Sequence, residues 1–227
     1  MMNYLASTSR PDTLFSVHQA ARFCSNPKRS HEEAVKRIGR HLKRTCDKVI
    51  THKFDATKPI EVFVDADFAG TWSLNESDLP TSALSRSGYV IKIANCPMHW
   101  VSKMQSEVVL STTETEYVAL SQSTRDLMPI KQMVEFLNKF LKIDSKKINT
   151  FSTVFENNSV ALQLALEPKY RPRTKHICVK YHHFRQYVKN RTISIQAVST
   201  DDQQGDILTK PLAKDKFEKF RRLIMGW

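Results

Sequence analysis

The sequence has few glycines, no paired cysteines and no long apolar run. Five glycines occur in 227 residues, and there is neither a G-x-G-x-x-G nor a P-loop pattern, so the phosphate-binding loops of nucleotide-dependent enzymes are not predicted. The four cysteines, Cys24, Cys46, Cys96 and Cys178, are far apart and form no C-x-x-C pair. This spacing favours buried, reduced thiols over a zinc site or a disulfide framework.

Nothing in the sequence predicts a membrane segment or a signal peptide. No stretch approaches the roughly 18 uninterrupted apolar residues of a membrane-spanning helix, and the first residues lack the basic flank and apolar run of a signal peptide. The apolar fraction of 41% supports a packed core. A chain of this length is expected to form one large domain, or one domain of about 150 residues with an appendage.

Positive charge is in excess and is concentrated in two stretches. The formal net charge is +12 and the pI is near 9.6. Lys28 to Lys53 carries nine basic residues against three acids, and Lys169 to Arg191 carries eight and no acid. Either stretch alone is as consistent with a solvated face as with a binding surface. Together they favour a polyanionic partner, with nucleic acid ahead of a membrane because no amphipathic anchor stands out.

An apolar strand that ends in two acids is the strongest local signal. The residues from Ile60 to Val64 are mostly β-branched or aromatic, which predicts a strand buried on at least one face. Asp65 and Asp67 follow, just before Gly70. A buried carboxylate is unfavourable unless it is paired or bound to a metal, so these acids indicate a site. Asp is also a common turn residue, and a lone D-x-D pattern is more often a turn than a site.

The remaining pattern predicts the order β-β-β-α-β-α-α-β-α. Strands at 87–94 and 98–103 suggest, with the first strand, an antiparallel meander. A helix follows the Ser111–Glu114 capping box, and we expect Pro129 to kink or break it near Met128. The later elements are a strand at 153–156, helices at 159–166 and about 176–189, a strand at 193–198, a helix carrying Asp206, and a cationic tail helix with Phe217, Phe220 and Leu223 facing inward.

Residues 1–54 are predicted to be helical. A short apolar helix follows Pro11, and Asn26-Pro27 interrupts the chain. Ser30–Glu33 has the pattern of a capping box that opens a helix with one basic face. The segment has too few apolar residues to fold alone, so we expect it to dock on another surface.

Five short stretches follow one another in an order typical of one protein family. They are Val64–Gly70, Ser85–Val90, Ser111–Tyr117, Arg173–Ile177 and Asp206–Leu212. These stretches resemble the ribonuclease H domain of the Pol polyproteins of copia-type LTR retrotransposons, and residues 4–12 and 22–27 are similar to the end of the reverse transcriptase. The resemblance implies an α/β, RNase H-like fold with a mixed five-stranded sheet flanked by helices. Residues 55–227 would form this domain, and residues 1–54 would be a small helical N-terminal appendage left from the reverse transcriptase.

The resemblance also implies an active site of four acids that hold two divalent ions, Mg²⁺ or Mn²⁺. By their places in the family's motifs, the catalytic and metal-binding acids are Asp65, Glu116, Glu156 and Asp206. Ions of this kind prefer oxygen ligands, and two of them about 4 Å apart activate the attacking water and neutralise the leaving oxyanion. Asp67 is assigned a structural role.

Glu156 is the main departure from the family pattern, which has Asp at this place. The additional methylene moves the carboxylate by about 1.5 Å, whereas metal–ligand distances tolerate only about ±0.2 Å. Activity is therefore expected to be weakened or lost. The segment before Asp206 contains no histidine, and we assign structural or phosphate-contact roles to His176, His182 and His183.

The implied function is an RNase H-type endoribonuclease that cleaves the RNA strand of an RNA–DNA hybrid. The missing reverse transcriptase domains would be a second partner, and no membrane and no small-molecule cofactor are expected. No adjacent Asp-Asp pair lies on a predicted hairpin, so no polymerase active site is expected. Nucleic-acid contacts are predicted for eight basic residues: Arg86, Lys103, Arg171, Arg173, Lys175, His176, Lys180 and Arg185.

Two alternatives to an active nuclease remain open at the level of the sequence. In the first, the chain is a catalytically degenerate remnant that keeps the fold and the basic surface and only binds nucleic acid. In the second, it is a processed subunit of a larger polymerase, and residues 1–54 dock on the missing domains. For location, the family implies a virus-like particle in the cytoplasm.

Overall fold

A mixed five-stranded sheet forms the centre of the protein. The computed structural model describes residues 1–70, 72, 82–140, 147–166 and 183–227. The strands are β1 (Ile60–Asp67), β2 (Arg86–Ile93), β3 (Cys96–Met104), β4 (Ser152–Glu156) and β5 (Ser194–Ala197), in the spatial order β3-β2-β1-β4-β5. The predicted antiparallel meander of the first three strands is confirmed. β4 runs parallel to β1, and β5 runs parallel to β4.

Helices precede the sheet, connect its strands and follow it, in the predicted order. Parallel neighbours require long connections, and the described part of the connection between β4 and β5 contains two helices. In the described part of the chain, no helix combines the length and the apolar character needed to cross a membrane. The described helices are α1 (Met2–Thr8), α2 (Pro11–Ala21), α3 (Arg29–Arg44), α4 (Thr112–Phe140), α5 (Ser159–Leu166), α6 (His183–Lys189), α7 (Asp206–Thr209) and α8 (Lys214–Met225).

The central strand β1 is buried on both faces. Ile60, Val62 and Val64 point to one face and pack with side chains of α4, α5 and α6. Phe63 points to the other face, where it stacks on Phe155 of β4 with ring centroids 4.8 Å apart. There it packs with residues of α1, α2, α3, α7 and α8. Because successive side chains of a strand alternate between faces, one apolar strand supplies both cores.

The N-terminal helices pack on the sheet of the same chain. Trp100 Nε1 of β3 donates a hydrogen bond of 2.9 Å to the carbonyl of Ala6 in α1. His18 Nδ1 of α2 lies 2.6 Å from the carbonyl of Ser102 in β3. The segment therefore docks, as expected from its low apolar content, and its docking surface includes β3 and the helices that follow the sheet.

The capping box predicted at Ser30–Glu33 is wrong. α3 begins at Arg29, two residues earlier than that pattern requires, with Lys28 as the N-cap. His31 then occupies the third helical position, and its Nδ1 accepts the backbone amide of Lys28 at 3.0 Å. A histidine thus takes the place that the sequence pattern gave to a glutamate.

The helix after β3 keeps its predicted start, and of the predicted kink or break near Met128 the break does not occur. Ser111 Oγ accepts the backbone amide of Glu114 at 3.2 Å, while the Glu114 carboxylate accepts the amide of Leu110 at 3.1 Å. α4 then runs unbroken through Pro129. The proline removes one helical hydrogen bond, and the burial of neighbouring Leu127 in the core outweighs that loss.

The tail helix and the cysteines differ from the prediction in their burial. α8 continues to Met225, and Phe220 is buried as predicted, but Leu223 is 37% exposed. Ile224 is buried instead, because the last turn of α8 packs against the rest of the protein.

The described cysteines are free, and both Cys24 and Cys46 are exposed, so the predicted burial is wrong for them. Cys178 lies outside the described residues.

Candidate active site

The four predicted acids come from four elements and meet near the C-terminal end of β1. Asp65 lies in β1, Glu116 near the start of α4, Glu156 at the end of β4 and Asp206 at the start of α7. Their exposed fractions are 1%, 7%, 0% and 0%. Asp65 interacts electrostatically with each of the other three. The fold thus brings the four carboxyl groups together, and their catalytic role stays a prediction.

Two glycines allow α7 to lie directly against the sheet. A Cβ atom at Gly205 would lie 2.8 Å from the backbone nitrogen of Asp65, and a Cβ atom at Gly88 of β2 would lie 2.6 Å from Cγ2 of Thr209. Real Cβ atoms do not approach other atoms so closely, so these positions require glycine. The close approach places Asp206 beside Asp65.

Gln203 fixes the turn that leads into α7. Its fully buried side chain donates from Nε2 to the carbonyl of Val64 at 2.7 Å and to that of Phe155 at 3.4 Å. Its Oε1 accepts the amide of Gly205 at 3.2 Å. The side chain therefore satisfies backbone carbonyls of β1 and β4 where the pairing between these two strands ends. No local sequence signal indicates this role, since the glutamine lies in a short polar run.

Asp206 and Asp65 are paired with two lysines and a threonine. Lys210 Nζ lies 2.9 Å from Asp206 Oδ1 and 3.4 Å from Asp65 Oδ2. Lys216 Nζ, from the first turn of α8, lies 2.8 Å from Asp206 Oδ2. Thr209 Oγ1 donates a short hydrogen bond to Asp65 Oδ2. Sequence reasoning missed all three partners, although the i, i+4 spacing of Asp206 and Lys210 was an available signal.

The two glutamates have no such counter-ions in the part of the chain that the structure describes. Glu156 Oε1 accepts the backbone amide of Asn158 at 2.9 Å. The Oε2 atoms of Glu116 and Glu156 are buried and have no hydrogen-bond partner among the described residues. A buried carboxylate oxygen without a partner is unfavourable. Among the described residues, no basic side chain forms an ion pair with these two glutamates, and Lys210 acts on Glu116 only electrostatically.

Burial raises the pKa of three of these acids. The pKa of Asp65 rises to about 7, with Asp206 adding to the effect of burial and Lys210 opposing it. Burial raises the pKa of Glu156 to about 8 against the opposing Asn158 amide. It also raises the pKa of Glu116 well above its ordinary value, and the neighbouring carboxylates of Glu156 and Asp65 add to this.

These pKa shifts predict that the metal-free protein loses stability as the pH rises. The folded state keeps protons on Asp65 and Glu156 up to about pH 7 to 8, whereas the unfolded chain releases them near pH 4. The folded state therefore binds more protons in this window, and the free energy of unfolding falls with rising pH, by on the order of 2–4 kcal/mol. Urea denaturation in EDTA between pH 5 and pH 8 measures this fall. The Asp65→Asn variant should show a shallower fall, and an equal one would contradict the prediction.

The cluster has the donors for a hard divalent cation, but its arrangement is not that of a formed metal site. Among the described residues, no three His, Cys, Asp or Glu side chains are grouped so that they could hold a metal ion. Both oxygens of Asp206 are instead occupied by Lys210 and Lys216. The unpartnered oxygens of Glu116 and Glu156 and the all-oxygen donor set suit Mg²⁺ or Mn²⁺. The residues thus fit such a cation, provided that an ammonium group moves away.

Arg86, one of the predicted nucleic-acid contacts, is buried in the protein. Its Nη1 donates to Ser102 Oγ at 3.0 Å and its Nη2 to Gln19 Oε1 at 2.6 Å. The guanidinium also lies over the ring of Phe15, 5.3 Å from its centroid, and burial lowers the pKa of Arg86 to about 10. The prediction for Arg86 is therefore corrected: this side chain joins α2 to β2 and β3.

Two other predicted nucleic-acid contacts lie in the described residues: one is exposed, and the other is hydrogen-bonded within the protein. Lys103 is exposed at the surface of β3. Arg185 of α6 donates from Nε to the carbonyl of Leu164 at 3.0 Å, which joins α6 to α5. His183 Nδ1 lies 3.5 Å from Ser121 Oγ of α4, consistent with a structural role. Outside the described residues lie the predicted contacts Arg171, Arg173, Lys175, His176 and Lys180, together with His182.

The strand order and directions, with acids on β1, α4, β4 and α7, define an RNase H-like α/β fold. Among solved structures, the chain is similar to LC11-RNase H1 isolated from compost, at 14% identity with a TM-score of 0.45, over 71% of this chain and 96% of that one. The same enzyme in complex with an RNA/DNA hybrid matches at 17% identity with a TM-score of 0.42, over 66% and 93%. TM-scores this low do not identify a fold, so the RNase H-like fold is assigned from the strand order and the strand directions.

Sequence comparison places the chain among transposon proteins. It is 31% identical over 222 residues to the retrovirus-related Pol polyprotein from transposon TNT 1-94 of Nicotiana tabacum, covering 97% of this chain and 15% of that protein. It is 32% identical over 223 residues to that from transposon RE2 of Arabidopsis thaliana, covering 98% and 14%. No protein-family model matches. The chain belongs to the retrovirus-related Pol polyproteins of copia-type transposons, and it spans about 15% of the length of these relatives.

Proposed function

We propose that this RNase H-like domain of a retrotransposon polyprotein cleaves the RNA strand of RNA–DNA hybrids with two divalent cations, Mg²⁺ or Mn²⁺. The observation that carries the proposal is the burial of four carboxyl groups from four separate elements around Asp65. Burying so many acids together is unfavourable unless cations compensate them.

The side chains of the cluster would have different roles in such a site. When bound, the cations supply an activated water and neutralise the leaving oxyanion. Asp65 would be the central ligand, and Thr209 orients its carboxylate through the hydrogen bond to Oδ2. Gln203 and Gly205 hold α7 in place, so that Asp206 faces the same point. The side chains thereby fix the positions of the ligands before the substrate arrives.

Exposed basic residues are expected to hold the nucleic-acid backbone. Lys103 of β3 and the outer face of α3, with Arg40, Lys43 and Arg44, are exposed. If the complex contains six to ten phosphate contacts, its affinity falls about 10³–10⁵-fold between 50 and 200 mM salt. Selection of the RNA strand would rest on contacts to 2′-hydroxyl groups.

The experiment that tests the proposal is cleavage of an RNA–DNA hybrid with labelled RNA, with Mg²⁺ or Mn²⁺ and then with EDTA. We expect cleavage of the hybrid in the presence of either ion and none in EDTA. RNA alone, an RNA duplex and a DNA duplex of the same sequence serve as substrate controls. Binding of the hybrid without cleavage would contradict the proposal and support the second candidate function.

The second candidate function is a remnant that binds nucleic acid without cleaving it. One observation favours it: both oxygens of Asp206 are occupied by Lys210 and Lys216. The resemblance to the family, which implies Asp where this chain has Glu156, points the same way. The remnant would keep the basic surface and the fold. It would bind the hybrid with the salt dependence given above, and no cation would change the length of the RNA.

We expect the Glu156→Asp substitution to raise hybrid cleavage by about tenfold. The side chain of Glu156 is fully buried, and its Oε1 is held by the amide of Asn158, so the longer side chain has little freedom to correct a misplaced carboxylate. The measurement is the initial cleavage rate in Mg²⁺ beside that of the wild type. An unchanged or lower rate would show that the methylene is not the defect.

The proposal extends to the setting of the domain. Residues 1–54 would be the end of the reverse transcriptase and residues 55–227 the nuclease domain, and together they would work with the missing polymerase domains in a cytoplasmic virus-like particle. The relatives, which are about seven times longer, support a larger assembly. Tyr4 of α1 is three-quarters exposed, which is consistent with a partner on that side. Co-purification of the chain with a separately expressed upstream polymerase segment tests this setting.

A further inference from the structure

We infer that Lys210 and Lys216 are resident counter-ions of the acid cluster and compete with divalent cations for Asp206 and Asp65. The inference rests on the proposed function, since it concerns the cations of the same site. Its consequence is that these two lysines weaken metal binding and keep the metal-free cluster compact. The test below measures cation binding and needs no cleavage.

The two lysines occupy the positions that cations would need. Asp206 is fully buried, and each of its oxygens contacts a different ammonium group, at 2.9 Å for Lys210 and 2.8 Å for Lys216. Lys210 also lies 3.4 Å from Asp65 Oδ2 and 3.5 Å from Oδ1. Its ammonium group therefore bridges two carboxylates that would otherwise be available to a divalent cation.

The location of Lys216 is unfavourable for the helix to which it belongs. It lies in the first turn of α8, where the helix dipole and the free backbone amides repel a positive charge. The ion pair with Asp206 and the ring of Phe220, whose centroid is 5.4 Å from Nζ, compensate for this location. If a cation bound Asp206, Lys216 would lose this ion pair, and its ammonium group would no longer be stabilised at the start of α8.

The acid cluster therefore has two unequal halves. The Oε2 atoms of Glu116 and Glu156 have no hydrogen-bond partner among the described residues and are free to bind a first cation. Asp206 can offer an oxygen only after a lysine has moved. We expect the two cations to bind with different affinities, and the weaker affinity to be set by Lys210 and Lys216.

Both lysines have a route out of the site. Their side chains are 32% and 27% exposed, and each has a flexible four-carbon chain. An ammonium group released from Asp206 can turn toward solvent, where a phosphate of a bound nucleic acid would stabilise it. Substrate binding would thus help to free the carboxylate for the cation.

The experiment is a calorimetric titration of the metal-free protein with Mn²⁺ alone. The Lys210→Met and Lys216→Met variants remove one ammonium group each and keep most of the side-chain volume. We expect each to bind the weaker Mn²⁺ ion about tenfold more tightly than the wild type, and the double variant to bind it more tightly still. The matched control is Lys219→Met on the same helix, because Lys219 pairs with Asp202 at the surface, at 2.9 Å. Its Mn²⁺ affinity should match that of the wild type.

A folding readout protects the test against unstable variants. Removal of a lysine leaves Asp206 with an unpaired buried oxygen, so we expect lower thermal stability in EDTA and a larger rise of Tm on addition of Mn²⁺ than in the wild type. If a methionine variant does not fold in EDTA, Lys216→Gln, which keeps a hydrogen-bond donor without the charge, takes its place.

Folded variants that bind Mn²⁺ no more tightly than the wild type would overturn the inference, as would the absence of Mn²⁺ binding in every variant. Mn²⁺ binding only after removal of a lysine would support it. The inference and the proposed function fail separately. Tighter Mn²⁺ binding by the variants, without hybrid cleavage by any of them, would contradict the nuclease and leave the competition standing.

Discussion

Replacing Asp65 by asparagine is expected to reduce hybrid cleavage by about a thousandfold, because the loss of one central ligand removes several kcal/mol of cation-derived stabilisation. Asp65 is the acid of the four that interacts with the other three. Asparagine has nearly the same shape and keeps one oxygen for Thr209, so the fold should persist. The measurement is the initial rate of cleavage of labelled RNA in the hybrid with Mg²⁺.

The matched control is Asp67→Asn, two residues further along the same strand. Asp67 is partly exposed and lies beside Gly70 at the end of β1, and we assign it a structural role. Its neutralisation should change the rate by no more than about fivefold. Because burial raises the pKa of Asp65 to about 7, the Asp65→Asn variant should be at least as stable as the wild type in EDTA at pH 8. Cleavage by the Asp65→Asn variant at the wild-type rate would show that Asp65 is not part of the active site.

Replacing Gly205 by alanine is expected to lower hybrid cleavage about a hundredfold, since a displacement of about 1 Å at a reacting site has that effect. The new Cβ atom would lie 2.8 Å from the backbone nitrogen of Asp65 and 2.9 Å from its Cβ. The atoms on the other side belong to the backbone and core of β1 and cannot yield, so α7 must move and carry Asp206 away from Asp65. Overpacking of this kind should also lower the free energy of unfolding by about 1–3 kcal/mol.

The control for Gly205→Ala is Gly39→Ala in α3, where an added Cβ meets no atom within 4 Å. An alanine in an exposed helix should raise the free energy of unfolding by about 0.5–1 kcal/mol and leave cleavage unchanged. Cleavage rates and urea denaturation curves of both variants give the comparison. If Gly205→Ala cleaves the hybrid like the wild type, close packing of α7 on β1 is not required for activity.

The sequence predicted the order of the elements because each strong signal was local. The alternation from Ile60 to Val64 is typical of a strand, and the Ser111 cap fixes the start of α4. Where a local sequence signal conflicted with tertiary packing, the packing determined the structure. Pro129 was expected to kink or break α4, but α4 continues through it, with buried residues on both sides of the proline. A difference of two residues in the start of α3 was enough to remove the predicted Ser30 cap.

The acids of the site could be found from the sequence, but their partners could not. Asp65 and Asp206 lie in family motifs, whereas Lys216 comes from a helix whose own pattern shows only a cationic face. Gln203 acts through a buried hydrogen bond to a residue far away in the chain. Such contacts depend on which surfaces meet, and no local spacing encodes that.

The charge pattern also failed to separate buried from exposed cations. Arg86 was grouped with the basic surface, yet its guanidinium is enclosed between α2 and the β2–β3 hairpin. Counting charges along the chain gives the sign of the partner. Such a count does not show which basic side chains are exposed and able to contact that partner.

The central claim is that Asp65, Glu116, Glu156 and Asp206 act together as the ligands of divalent cations. The most direct test is anomalous diffraction from crystals of the chain soaked in Mn²⁺ at a concentration that supports hybrid cleavage. We expect anomalous peaks about 2.0–2.3 Å from oxygens of these four carboxylates, with Lys210 or Lys216 turned away from Asp206. Anomalous peaks elsewhere alone, or no peak at the cluster, would contradict the claim.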